Sequence, residues 1–172
     1  IVDLNKIIRE VKQDAQLTVP IQPIDLAKMC WGVITDASWA NTTGCASQGA
    51  FGVFCYEEEV VNHGKGKANL LFWKSGKIHR VVNSTLAAET QALSKGLGEL
   101  AWAVTVFSEL TMPGFDLREW DREARQRRLH ALAKDDLSEE LRKNICLIDA
   151  KSLYDHLSKE TVGIAEDRRT AI

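Results

Sequence analysis

The chain has 172 residues, 45% of them hydrophobic and 27% charged, enough apolar content to fill one domain core and too much for a disordered polymer. Its 22 Lys and Arg are matched by 24 Asp and Glu, a formal net charge of -2, so binding does not rest on bulk positive charge as it does in a polybasic factor. No apolar run is long and uninterrupted enough to span about 30 Å of hydrocarbon, and no membrane span or membrane partner is expected.

The opening residues, Ile1 to Asn5, form neither a signal peptide nor an initiator Met, so the chain is read as a fragment of a longer polypeptide. Leu4, Ile7, Ile8 and Val11 recur at helical spacing and predict an amphipathic helix over Leu4–Ala15, ended before Pro20 and Pro23 and packing on something else. From Trp31 the pattern becomes β-rich. A strand over Trp31–Ala40, a turn over Asn41–Ser47 and a second strand over Ala50–Tyr56 are expected, then a third from Ala68 to Lys74. Three strands with short links predict an antiparallel meander.

Thr85–Leu110 is the clearest helix, with Leu86, Leu93, Leu97, Leu100, Val104, Phe107 and Leu110 on one stripe and Ser84 or Thr85 as N-cap. Met112, Pro113 and Gly114 end it. Residues 115–143 then carry eight Lys or Arg and eight Asp or Glu, a composition suited to an exposed charged insertion, placed at about 111–143. Ile145–Ile148 reads as a short buried strand. Ala150–Leu157 reads as a helix that Asp149 is able to cap. Trp31, Trp73 and Trp102 are assigned to the core. Cys30, Cys45, Cys55 and Cys146 never form a C-x-x-C pair, which argues against zinc or a redox dithiol; reduced thiols point to an intracellular compartment.

Three acids stand in apolar places. Asp36 follows Val33-Ile34-Thr35, Asp149 follows Ile145-Cys-Leu-Ile, and Glu89 lies in the helical stripe between Leu86 and Leu93. A carboxylate so placed loses hydration and needs a proton, a cation or hydrogen-bond donors. Converging acids would repel one another, and a divalent metal with a preference for hard oxygen ligands, Mg2+ or Mn2+, would relieve that. Each acid also has an ordinary alternative: Asp36 as a strand-end residue bonding turn amides, Asp149 as a helix cap, Glu89 as a first-turn residue favoured by the helix dipole. The four histidines, His63, His79, His130 and His156, lie in unrelated polar contexts and are read as solvated. From Val60 to Ala88 there is no acidic residue, while Lys65, Lys67, Lys74, Lys77, His79 and Arg80 recur, a local basic stretch suited to phosphates.

Thr35-Asp-Ala-Ser-Trp-Ala-Asn with Ser47-Gln-Gly-Ala-Phe-Gly-Val-Phe, then Phe72-Trp-Lys-Ser-Gly-Lys with Val81-Val-Asn-Ser-Thr-Leu-Ala-Ala-Glu-Thr-Gln-Ala-Leu, then Leu147-Ile-Asp-Ala-Lys-Ser-Leu, follow one another along the chain. These blocks resemble the ribonuclease H domain of copia-type retrotransposon polyproteins. The resemblance implies an α/β, ribonuclease-H-like mixed sheet with flanking helices over 30–172, here lacking the last strand and helix. Residues 1–29 are then similar to the helix and linker that follow an upstream reverse transcriptase domain in the same polyprotein. It implies a metal-dependent endonuclease that cuts the RNA strand of an RNA–DNA hybrid during reverse transcription. Asp36, Glu89 and Asp149 match the acids that hold two Mg2+ or Mn2+, and Asp167 is the nearest candidate for a fourth. Ala87 stands where the family's signature has its first Glu, and Ala150 where it has Asn after the third acid. Lys74, Lys77, Arg80 and Ser84 are the expected nucleic-acid contacts. The alternative from a different class is a non-catalytic module, a decayed or truncated copy that holds nucleic acid without cutting it.

Overall fold

The computed structural model describes residues 2–16, 18–42, 44–123 and 144–158. Asp167 and positions 124–143 of the charged insertion lie outside them. Helix α1, Val2–Gln13, presents Leu4, Ile7 and Ile8 to solvent. Further along, the Gln22 backbone N–H donates to Asn69 Oδ1 at 2.7 Å and its carbonyl accepts from Asn69 Nδ2 at 2.9 Å. Lys67 Nζ also donates to the Pro23 carbonyl at 3.0 Å. Asn69 is buried, so one side chain satisfies itself and fastens the preceding segment.

Strands β1, Met29–Thr42, and β2, Ala46–Glu57, form a long antiparallel hairpin. The expected turn over Asn41–Ser47 shrinks, because pairing resumes at Thr42 and Ala46. Gly44 and Cys45 turn the chain in the left-handed region, φ 76 and 55. A short helix that the sequence did not signal, α2 at Glu59–His63, leads to β3, Ala68–Lys77, antiparallel to β2. Helix α3, Thr85–Thr111, is capped by Ser84, whose hydroxyl accepts from the Ala87 N–H at 3.1 Å. After Gly114, φ 74, residues 117–123 are again helical. Strand β4, Ile145–Ile148, pairs in parallel with β1, and helix α4, Lys151–Leu157, follows. The result is a mixed α/β architecture: a four-stranded sheet in the order β3-β2-β1-β4 with flanking helices. No described helix is long and apolar enough to cross a membrane.

The core lies between α3 and one face of the sheet, where Val33, Phe51 and Val53 meet Leu100 and Ala103, with Trp31, Phe72 and Val104 packed around them. Three expectations fail here. Strand β4, expected to be buried, has no fully buried residue and leaves Leu147 46% exposed. Leu97 and Leu110 are exposed, and the buried line of α3 runs instead through Ala92, Leu93, Gly96, Leu100 and Ala103. Small residues win because the helix sits close to the sheet: a Cβ on Gly96 would fall 2.7 Å from Thr35 Cγ2 and 3.0 Å from Val33 Cγ2. Trp31 is partly buried, edge-on to Phe107, but Trp73 is 67% exposed and Trp102 59%. Trp73 pairs with Gly52 next to Phe72, so strand alternation turns it away from α3 when Phe72 faces the core. Trp102 meets Phe72 nearly at right angles, with ring centroids 6.0 Å apart, and stays largely exposed.

Candidate functional site

Asp36, Glu89 and Asp149 come together where β1, α3 and β4 meet. The parallel register sets Thr35 opposite Ile148, so the next residue on each chain is an acid. The glycine contact at Gly96 brings α3 down onto Thr35, and seven residues earlier the helix delivers Glu89 beside Asp36. Each of the three offers a carboxylate oxygen, and these oxygens lie within 4.8 Å of one another. Asp36 and Asp149 are exposed, whereas Glu89 is only 4% exposed.

Burial pushes the Glu89 carboxyl above its ordinary range, and the charges of Asp149 and Asp36 push it further the same way; a backbone N–H donated by Ala37 pulls in the opposite direction. Its Oε2 is buried with no hydrogen-bond partner. A buried oxygen in that position, converging with two further hard oxygen donors, fits a divalent cation of the Mg2+ or Mn2+ type. The ordinary alternatives for two of the acids fall away. Glu89 is the fifth residue of α3, beyond its first turn. The N-cap of α4 is Ala150, with no side-chain cap bond, so the expected capping by Asp149 does not occur.

A groove of about 370 Å³ is lined by residues of β2, β3, the loop after β3 and α3. Lys74, Lys77, His79 and Arg80 line it, joined from α3 by Gln91, Ser94 and Lys95, and none of its lining residues is acidic. Three of the four expected nucleic-acid contacts, Lys74, Lys77 and Arg80, therefore share one surface. Ser84 does not line it; its hydroxyl oxygen accepts the helix-capping bond instead. His79 is exposed, as expected, and also lines the groove. Lys95 was missed, although Gln91, Ser94 and Lys95 follow the i, i+3, i+4 spacing that places residues on one helix face. A second, smaller polar hollow adjoins Asp36 and is lined by Ser38, Asn41, Gln48 and Ser75, with Gln48 Nε2 donating to Ser75 Oγ at 2.7 Å.

The acid cluster thus offers three oxygen donors of the kind that suits a divalent cation, and the sheet and helix that carry it also carry a groove lined by basic side chains. Scans against models of protein families, curated proteins and solved structures each found no match to this chain.

Proposed function

We propose that this chain is a metal-dependent endonuclease of the ribonuclease H type, with a ribonuclease-H-like fold, that hydrolyses the RNA strand of RNA–DNA hybrids during reverse transcription of a retrotransposon. The observation that carries this reading is the convergence of Asp36, Glu89 and Asp149 from three separate elements, with the middle acid buried and one of its oxygens unpartnered. Further support comes from the mixed sheet, in which three antiparallel strands and a parallel fourth strand carry Asp36 on β1 and Asp149 just after β4, with Glu89 on the helix between.

In this reading Asp36, Glu89 and Asp149 would hold the two Mg2+ or Mn2+ ions, each offering a carboxylate oxygen. When bound, such ions make a water nucleophilic and stabilise the leaving 3′-oxygen. The remaining residues position the substrate. Lys74, Lys77, Arg80 and Lys95 hold backbone phosphates along the groove. Ser38, Asn41 and Gln48 offer polar atoms beside Asp36, where 2′-hydroxyl contacts distinguish RNA from DNA. The upstream partner is a reverse transcriptase domain of the same polyprotein.

The test is cleavage of an end-labelled RNA strand in an RNA–DNA hybrid, with duplex DNA as control. Cleavage of the hybrid alone, dependent on Mg2+ or Mn2+ and abolished by Asp149→Asn, is expected. Hybrid binding without cleavage under any divalent cation would replace this reading with the non-catalytic one, and undiminished cleavage by Asp149→Asn would remove the acids from the mechanism.

A further inference from the structure

The tip of β1 is irregular in a way that the acid cluster does not require. Pairing with β2 is regular to Ser38 and Gln48 and resumes at Thr42 and Ala46, so Trp39, Ala40 and Asn41 stand opposite Ser47 alone. Ala40 takes φ 52, a left-handed conformation unfavourable for a residue with a Cβ. Bulges of this kind re-aim side chains and gather beside functional sites. The buried Ser47 holds the irregularity in place: its Oγ accepts from the Ala40 N–H at 3.0 Å, and its carbonyl accepts from the Ile78 N–H at 2.8 Å. What the bulge displays is Trp39. Its indole Nε1 donates to the Val82 carbonyl at 3.2 Å, and the residue is still 47% exposed.

The indole is thus anchored at its one polar atom while much of its apolar face stays in water, three residues from Asp36. Through Val82 and Ile78 the same bulge grips both ends of the loop that carries His79 and Arg80 into the cationic groove. An exposed aromatic ring that is also immobilised suits a flat ligand, because the entropy of fixing it is lost before binding. We infer that Trp39 is a substrate-contacting residue whose ring packs flat against the sugar–base face of the nucleotide next to the one held at the acids. This inference rests on the hybrid-cleaving function proposed above and adds to it a specific aromatic contact.

The experiment measures binding of a fluorescein-labelled RNA–DNA hybrid in the presence of Ca2+ to the full chain and to Trp39→Phe and Trp39→Leu, together with acrylamide quenching of tryptophan fluorescence. Trp39→Leu should bind about 5- to 150-fold more weakly, the range for removing an aromatic–nucleotide contact. Trp39→Phe keeps a ring and should retain most of the affinity although it loses the bond to Val82. Hybrid should shield a tryptophan from acrylamide in the unmodified chain, and that shielding should vanish in Trp39→Phe, which keeps this readout decisive even if Trp39→Leu does not fold. Equal weakening by Phe and Leu, or shielding unchanged in Trp39→Phe, would reduce Trp39 to a brace for the loop and overturn the inference. Full affinity in Trp39→Leu would overturn it too, while leaving the proposed function intact. Failure of the unmodified chain to bind hybrid would remove both.

Discussion

Replacing Glu89 by glutamine removes one of three negative charges from the junction of β1, α3 and β4 with almost no change of shape. The carboxylate oxygens lie within 4.8 Å of one another, and at that outer limit each neighbouring carboxylate repels Glu89 by about 1 kcal/mol at the dielectric of water and by about 3.5 kcal/mol at an effective value near 20. Asp36 and Asp149 are exposed, which favours the lower end, so the two together cost the cation-free protein about 2 kcal/mol. The glutamine carbonyl would still accept from the Ala37 N–H, and the new amide group would face two carboxylate acceptors. The substitution should therefore stabilise the cation-free chain at pH 7.5, raising its melting temperature by about 4–8 °C. The pH dependence has a definite sign. A carboxyl whose folded-state pKa is raised above the ordinary 4.5 weakens the fold fully above the raised value, progressively less as pH falls, and not at all below the unfolded pKa. The gap between Glu89→Gln and the unmodified protein should accordingly close towards pH 4.5. Mg2+ should close it from the other side, adding about 1.4 kcal/mol to the unmodified protein at ten times its dissociation constant and little to the variant. Differential scanning fluorimetry across pH, with and without Mg2+, reads all three. A variant that melts at or below the unmodified protein at pH 7.5 without cation would refute the reasoning.

Gly96→Ala should lower stability by about 1–3 kcal/mol, because the new Cβ meets Thr35 and Val33 at 2.7 and 3.0 Å; urea denaturation measures it, and cleavage should fall as α3 lifts from β1. Lys95→Ala should weaken hybrid binding and make the slope of log K against log salt shallower by about 0.7–0.9, read from anisotropy titrations over a salt series. Asn69→Ala strips both bonds from Gln22 and should speed proteolysis ahead of β1 without touching the acids, so cutting sites mapped by mass spectrometry should cluster before residue 29.

The acids were legible in the sequence because a charge stands out against an apolar run: Asp36 and Asp149 each follow three or four apolar or small residues, and Glu89 interrupts a helical stripe. Their meeting depends on the parallel β1–β4 pairing, which periodicity does not encode. Gly96 was unreadable for a related reason. A glycine within a helix looks like a weakness until the opposite strand is known to press against it. The tryptophans failed because hydrophobicity ranks Trp73 and Phe72 alike, whereas strand alternation allows only one of two neighbours to face α3. The basic stretch from Lys74 to Arg80 was visible because it is contiguous, and Lys95 was not, because it reaches the groove from another element.

The pairing of Thr35 with Ile148 spans about 110 residues of chain, whereas β1, β2, β3 and α3 are consecutive neighbours. The loop-closure entropy of that one parallel contact is met only once, and late. The meander and α3 therefore have reason to assemble first, with Asp36 and Glu89 already side by side, and β4 to arrive last, carrying Asp149 into a place already occupied by two acids. A divalent cation present during refolding would then act on the final step, speeding the arrival of β4 and leaving the earlier hairpins to form at their own rate.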